Sequence, residues 1–186
     1  QVLGRAAASP PMFPSFPASD DIAAWKAWKE SGEAVMRTID FSGGASDRVD
    51  CEPITLGGVP TFLARPKAGD PGPKTLFDLH GGALIGGGGD LCRGYATGSA
   101  DLMQSTVYAP DYRLLPEHPS PAALDDCVSA YRALLNQVDA SRVVVKGLSA
   151  GGNLAAALIL RLLAEGVPLP AGLILHSPEL DLTESG

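Results

Sequence analysis

Ser149 lies in Gly147-Leu148-Ser149-Ala150-Gly151-Gly152, a G-x-S-x-G spacing suited to one kind of chemistry, attack by a serine hydroxyl on an acyl carbon. A hydroxyl becomes a useful nucleophile when a sharp backbone turn thrusts it clear of its neighbours. Gly147, Ala150 and Gly151 are small enough to let adjacent backbone approach such a turn. Acyl transfer also needs donors aimed at the oxygen that becomes negative in the tetrahedral intermediate, and backbone amides serve well. One amide follows the nucleophile, at Ala150. Others can come from His80-Gly81-Gly82, where missing side chains let the backbone face a substrate. The third need is a histidine to take the serine proton, with a carboxylate to hold that histidine in the right tautomer.

Hydrophobic periodicity supplies the elements that must position these groups. Val143-Val144-Val145 before the motif and the apolar run Leu154 to Leu163 after it read as strand, tight turn and helix. Thr75 to Leu79 is a short strand ending at His80. Cys92 to Met103 is a helix, Thr106 to Ala109 a buried strand, and Ala171 to His176 one more strand. Between them, Leu124, Cys127, Val128, Tyr131, Leu134, Leu135 and Val138 form a helical stripe. Ile54 to Leu56 and Thr61 to Ala64 flank Gly57-Gly58, an antiparallel hairpin that Pro60 assigns to a sheet edge. After the hairpin, strands alternate with helices. The fold class is α/β, with a mostly parallel sheet covered on both faces and its ligand site at the carboxyl ends of the strands.

Residues 1–18 are proline-rich and aperiodic, an irregular arm whose Met12, Phe13 and Phe16 are expected to rest in part on the body. Ser19 is the expected N-cap of a first helix, with Asp20 and Asp21 in its first turn and Ile22, Trp25, Trp28, Val35 and Met36 on one face. Two readings of that helix stand side by side, packing on the core or capping a substrate pocket. The division expected is arm and cap helix over 1–45 and core over 46–186.

The 186 residues are 45% hydrophobic and 19% charged, a globular composition with room for one sizeable core and no run long enough to insert stably in a membrane. A net charge of -7 without a basic stripe argues against nucleic-acid binding. Cys51, Cys92 and Cys127 lack C-x-x-C spacing and read as small buried hydrophobes in a reducing compartment, so a cytoplasmic location is expected, with secretion left open. Gly86 to Gly89 has no following Lys-Ser/Thr and is a poor phosphate loop; it is better read as backbone that approaches a ligand or bends freely.

Three segments carry a family resemblance: His80-Gly81-Gly82, then Asp111-Tyr112-Arg113-Leu114-Leu115-Pro116-Glu117-His118-Pro119 with Pro121-Ala122-Ala123-Leu124, then Gly147 to Gly152. Together they resemble the hormone-sensitive-lipase-like branch of the α/β-hydrolases, the bacterial family IV esterases, from about Val59 to Gly186. The resemblance implies a serine carboxylesterase for short to medium acyl esters, with no metal and no organic cofactor. Ser149 is then the nucleophile, and Gly81, Gly82 and Ala150 are the oxyanion donors. His80 orders the loop and is not the base. The Asp111 to Pro119 segment is scaffold, with Arg113 and Glu117 held in ion pairs. Two positions depart from the pattern: Ala83 replaces a third glycine, and Leu148 replaces an acidic residue. At negative φ Ala83 costs little, whereas at positive φ it strains the loop by about 1 kcal/mol or more.

In these hydrolases the chain order is serine, acid, histidine. The one histidine after Ser149 is His176, and the acid between them is Glu165, at the far end of the nucleophile helix. Glu179 or Asp181 could serve as acid, but no histidine follows them. The expectation is that acid and histidine lie beyond residue 186, that these residues are the N-terminal part of a longer protein whose remaining C-terminal polypeptide is a partner, and that alone they are nearly inactive. The other expected partner is a small-molecule ester; a homodimer is left open. Alternatives are a non-catalytic binding protein of the same fold and a lactone or amide hydrolase.

Overall fold

A computed structural model of the chain describes residues 16–182. Met12 and Phe13 of the arm lie outside the described residues. Helix α1, Ile22–Met36, is capped by Asp21, whose carboxylate accepts from the Ala24 amide at 2.9 Å. This corrects the sequence expectation of a cap at Ser19. The Asp21 amide donates to the Ala18 carbonyl in a turn, so the backbone becomes helical only after Asp21, and Asp21 then has the three-residue reach that a cap needs. No residue of α1 is buried. Phe16 stands 6.0 Å from Trp25 and 5.5 Å from Trp28, an aromatic cluster that fastens the end of the arm to the helix.

Strands β1, Val49–Leu56, and β2, Val59–Pro66, pair antiparallel across Gly57-Gly58, with Leu56 opposite Val59. The chain then runs β3, Thr75–Leu79; α2, Asp90–Met103; β4, Thr106–Pro110; α3, Ala122–Leu134; β5, Val143–Leu148; α4, Ala150–Ala164; and β6, Gly172–His176. The sheet order is β1-β2-β4-β3-β5-β6, so the hairpin forms one edge through β1, while Pro60 itself lies in the inner strand β2, tolerated there because the β2–β4 ladder begins only at Thr61. Strand β4 is antiparallel to β2, and β4, β3, β5 and β6 are mutually parallel.

The two-residue period of the strands divides their side chains between two cores. Leu76 and Val107 face Ala96 and Ala100 of α2, while Phe77, Leu79, Val143 and Val145 face Tyr131 and Leu134 of α3 and Leu158 and Leu162 of α4. Asp78 shares the α2 side with Leu76. Its carboxylate accepts from Lys146 Nζ of β5 at 2.8 Å, and Nζ also donates to Ser99 of α2 at 3.1 Å. A charge inside the sheet is tolerated because this partner and hydroxyl accompany it.

The chain leaves β3 for β4 on one side and returns to β5 on the other. Connections diverge there, and a crevice opens at the carboxyl ends of β3 and β5. At the opposite edge, β6 exposes Leu173 on one face and Ile174 on the other, and α4 exposes Leu160 and Leu163. Among the described residues no helix is long and apolar enough to cross a membrane.

Candidate active site

Ser149 occupies the junction of β5 and α4 with φ 53° and ψ −119°, a conformation that side-chain-bearing residues rarely adopt. Its amide donates to His176 O at 3.0 Å, extending the β6 ladder by one bond, and its carbonyl accepts from Gly152 at 2.8 Å to start the helix. The turn is tight enough that a Cβ on Gly147 would lie 2.2 Å from Gly151 O, and one on Gly151 would lie 2.1 Å from Leu79 O. Those glycines are therefore required by close approach of backbone to backbone, the role assigned to them from sequence.

The loop after β3 meets this turn. A Cβ on Gly81 would stand 3.4 Å from Ser149 Cβ and 3.1 Å from Leu148 O, so the Gly81 backbone is packed against the serine. Gly82 accepts from Ile85 at 3.0 Å and from Gly86 at 2.8 Å, closing a compact turn. No backbone acceptor takes the Gly81 or Gly82 amide among the described residues. Ala150 is the first residue of α4, where amides have no intrahelical partner. The structure thus gathers Ser149, Gly81, Gly82 and Ala150 at one place. Ala83 has φ 54° and Leu84 φ 61°, so the loop takes the strained alternative that the alanine substitution left open.

His80 sits beneath this loop and is 2% exposed. Its Nδ1 lies 2.8 Å from Gly81 O, its ring stacks on Tyr112 at 4.2 Å, and the Tyr112 hydroxyl donates to His80 O at 2.6 Å. Burial lowers its pKa to about 4, against the opposing pull of the Gly81 hydrogen bond and the Asp78 charge, so the ring is neutral at pH 7. Among the described residues no imidazole hydrogen-bonds to the Ser149 hydroxyl. His176 lends only its backbone carbonyl, and Glu165 is paired with Arg132 and Arg161 at the far end of α4.

Ser149 opens into a cavity of about 320 Å³ lined by Gly82, Ala83, Ile85 and, from above, Phe16, Trp28, Glu33 and Met36. The apolar stripe of α1 left two readings open, packing on the core or capping a pocket, and Trp28 and Met36 line the cavity. Lys29 ties α1 to the loop after β4, donating to Glu117 at 3.1 Å and to Leu115 O at 3.4 Å. Arg113 makes a forked contact with Asp126 at 2.8 and 2.9 Å, and its own amide donates to the same carboxylate at 2.9 Å. Both residues are held in ion pairs, as expected. Tyr112 and Asp126 are the supports that sequence reasoning did not single out; for Tyr112, its place in the motif beside Asp111 was the available signal.

Comparison with known proteins agrees with this geometry. A family model described as alpha/beta hydrolase fold matches residues 76–186. An esterase of Acinetobacter venetianus is 41% identical over 136 residues, covering 73% of this chain and 44% of that protein. Among solved structures, the HSL homologue EstE7 from a metagenome library superposes with TM-score 0.76 at 35% identity, covering 93% of this chain and 60% of that one. A hormone-sensitive lipase from a metagenome library gives TM-score 0.75 at 36% identity, covering 89% and 58%. The chain spans about half the length of the curated relatives it matches. The order of sheet strands, the turn at Ser149 and these matches lead to one assignment: the chain belongs to the alpha/beta hydrolase fold family, in its hormone-sensitive-lipase-like branch.

Proposed function

We propose that the protein is a serine carboxylesterase acting on small esters with short to medium acyl chains. The observation that carries this reading is Ser149 at positive φ between β5 and α4, packed against the Gly81 backbone and opening into a mostly apolar cavity. The Ser149 hydroxyl attacks the ester carbonyl, losing its proton to a base. The carbonyl oxygen becomes an oxyanion between the Gly81, Gly82 and Ala150 amides. Collapse expels the alcohol, which takes the proton back from that base, and leaves an acyl group on Ser149; water, giving a proton to the same base, then removes it and the proton returns to Ser149. His80 keeps the donor loop in place; a neutral ring buried against Tyr112 and bonded to Gly81 suits that task better than proton transfer. The base and the acid are proposed to come from polypeptide outside these 186 residues.

Cavity size and lining support the acyl range. About 320 Å³ is at the lower end of the volumes that small-molecule sites occupy. The α1 helix serves as the cap, since it buries nothing of its own and walls the cavity instead. A fluorophosphonate probe tests the reading on the whole protein. Labelling at Ser149 that disappears in Ser149→Ala is expected, together with hydrolysis of nitrophenyl esters that declines as the acyl chain lengthens. Absence of labelling in the wild type would overturn it in favour of a binding protein of the same fold.

A further inference from the structure

Three side chains whose ligating atoms take no part in the proposed ester chemistry converge beneath the glycine run at 86–89. His80 follows β3, Cys92 lies in the first turn of α2, and Asp111 follows β4. A ring nitrogen of His80, the Cys92 Sγ and a carboxylate oxygen of Asp111 all lie within 4.8 Å of one another. His80 and Cys92 are buried, and Asp111 is half-buried, which leaves the cluster one side toward solvent. We infer that His80, Cys92 and Asp111 form a binding site for one soft divalent cation of the zinc type, separate from Ser149 and roofed by the glycine loop.

His80 holds an unused ligating atom. The Gly81 carbonyl 2.8 Å from Nδ1 can only accept, so the ring proton is on Nδ1. Nε2 then carries a bare lone pair, and it is the one buried side-chain nitrogen or oxygen among the described residues without a hydrogen-bond partner. An imidazole that donates its other N–H to a backbone carbonyl has the support that zinc-ligating histidines use to fix their tautomer. The stacked Tyr112 ring and its hydroxyl on His80 O keep the imidazole from turning away.

Thiolate, imidazole and carboxylate together favour zinc over magnesium or calcium, with water in the fourth position. Bond lengths of about 2.3 Å to sulfur and about 2.0 Å to nitrogen ask for donors about 3.5 Å apart, so the widest pair must close by about 1 Å. Asp111 can supply that movement, since its carboxylate accepts from the Gly89 amide at 3.0 and 3.1 Å and the glycine run carrying that amide has no side chains to resist a shift. On binding, the Cys92 thiol proton leaves to solvent and the sulfur lone pair goes to the ion; no electron changes hands.

The test is a titration of the chelator-treated full chain with Co²⁺ and then Zn²⁺, with far-ultraviolet circular dichroism to check each variant's fold. One equivalent of Co²⁺ with a thiolate-to-cobalt absorption band that Zn²⁺ bleaches is expected. Cys92→Ser removes the band, Cys51→Ser keeps it, and Asp111→Asn weakens zinc at least about tenfold in competition with a chromophoric chelator. Failure of the wild type to bind one equivalent overturns the site whether or not the variants fold. A band that survives Cys92→Ser or is lost in Cys51→Ser, or zinc affinity unchanged in Asp111→Asn, overturns it equally. Hydrolysis is not read, so this outcome is independent of the esterase proposal.

Discussion

Ala83 carries backbone strain that its side chain does nothing to relieve. It is exposed and has φ 54°, where a glycine would sit without a Cβ clash. Ala83→Gly is expected to stabilise the chain by about 1 kcal/mol, the relief of strain exceeding glycine's extra unfolded-state entropy; urea denaturation measures it. His80 gives the residue-level pH dependence. Its pKa falls from 6.5 in the unfolded chain to about 4 in the folded one, chiefly through burial. Between those values the unfolded state binds the proton and the folded state refuses it, so stability falls as pH falls. The loss is on the order of 3 kcal/mol by pH 4, and His80→Gln lacks it. Denaturation of both proteins at pH 7 and pH 4.5 shows the difference; equal losses in the two would contradict it. Asp111, its carboxyl raised by burial, works in the opposite direction.

Among the elements, β3 and β5 matter most, because one delivers the Gly81 loop and the other Ser149. Their side-by-side pairing from Thr75↔Val143 to Leu79↔Gly147 fixes where the two turns meet. The Asp78–Lys146 pair spans the same two strands, with side chains 3% and 17% exposed. Lys146→Met leaves Asp78 without its partner and is expected to cost about 3–5 kcal/mol, whereas Asp78→Leu with Lys146→Met is expected to be near neutral. A double-mutant cycle in urea checks this; an additive result would show that the two charges do not act as a pair. The pairing was not legible beforehand. Period-two alternation puts Asp78 on a face but cannot say that Lys146 of another strand stands opposite it. Helix α1 shows the same limit: its apolar stripe was plain, while its destination as the wall of a cavity, tied by Lys29 to Glu117, depended on contacts 88 residues apart.

At the scale of the molecule, the sheet is well covered in its middle and bare at β6. Leu160, Leu163 and Leu173 are 68, 56 and 40% exposed on the α4 side of the sheet, and Ile174 is 37% exposed on the other face. The 186-residue chain is therefore expected to bind the dye anilinonaphthalene sulfonate in its folded state, and Leu163→Gln with Leu173→Thr to reduce that fluorescence without lowering the melting temperature. Unchanged fluorescence would place the dye elsewhere. Sequence alone determined the element types, the edge hairpin, the strand-turn-helix at Ser149 and the partner loop at Gly81, because each is written in local periodicity and in glycine at places of close approach. Tertiary structure alone decided that β4 and β5 flank β3, that Trp28 faces Ser149 across a cavity, and that His80, Cys92 and Asp111 meet. Those facts depend on which distant residues the sheet order brings together, and no local pattern encodes that order.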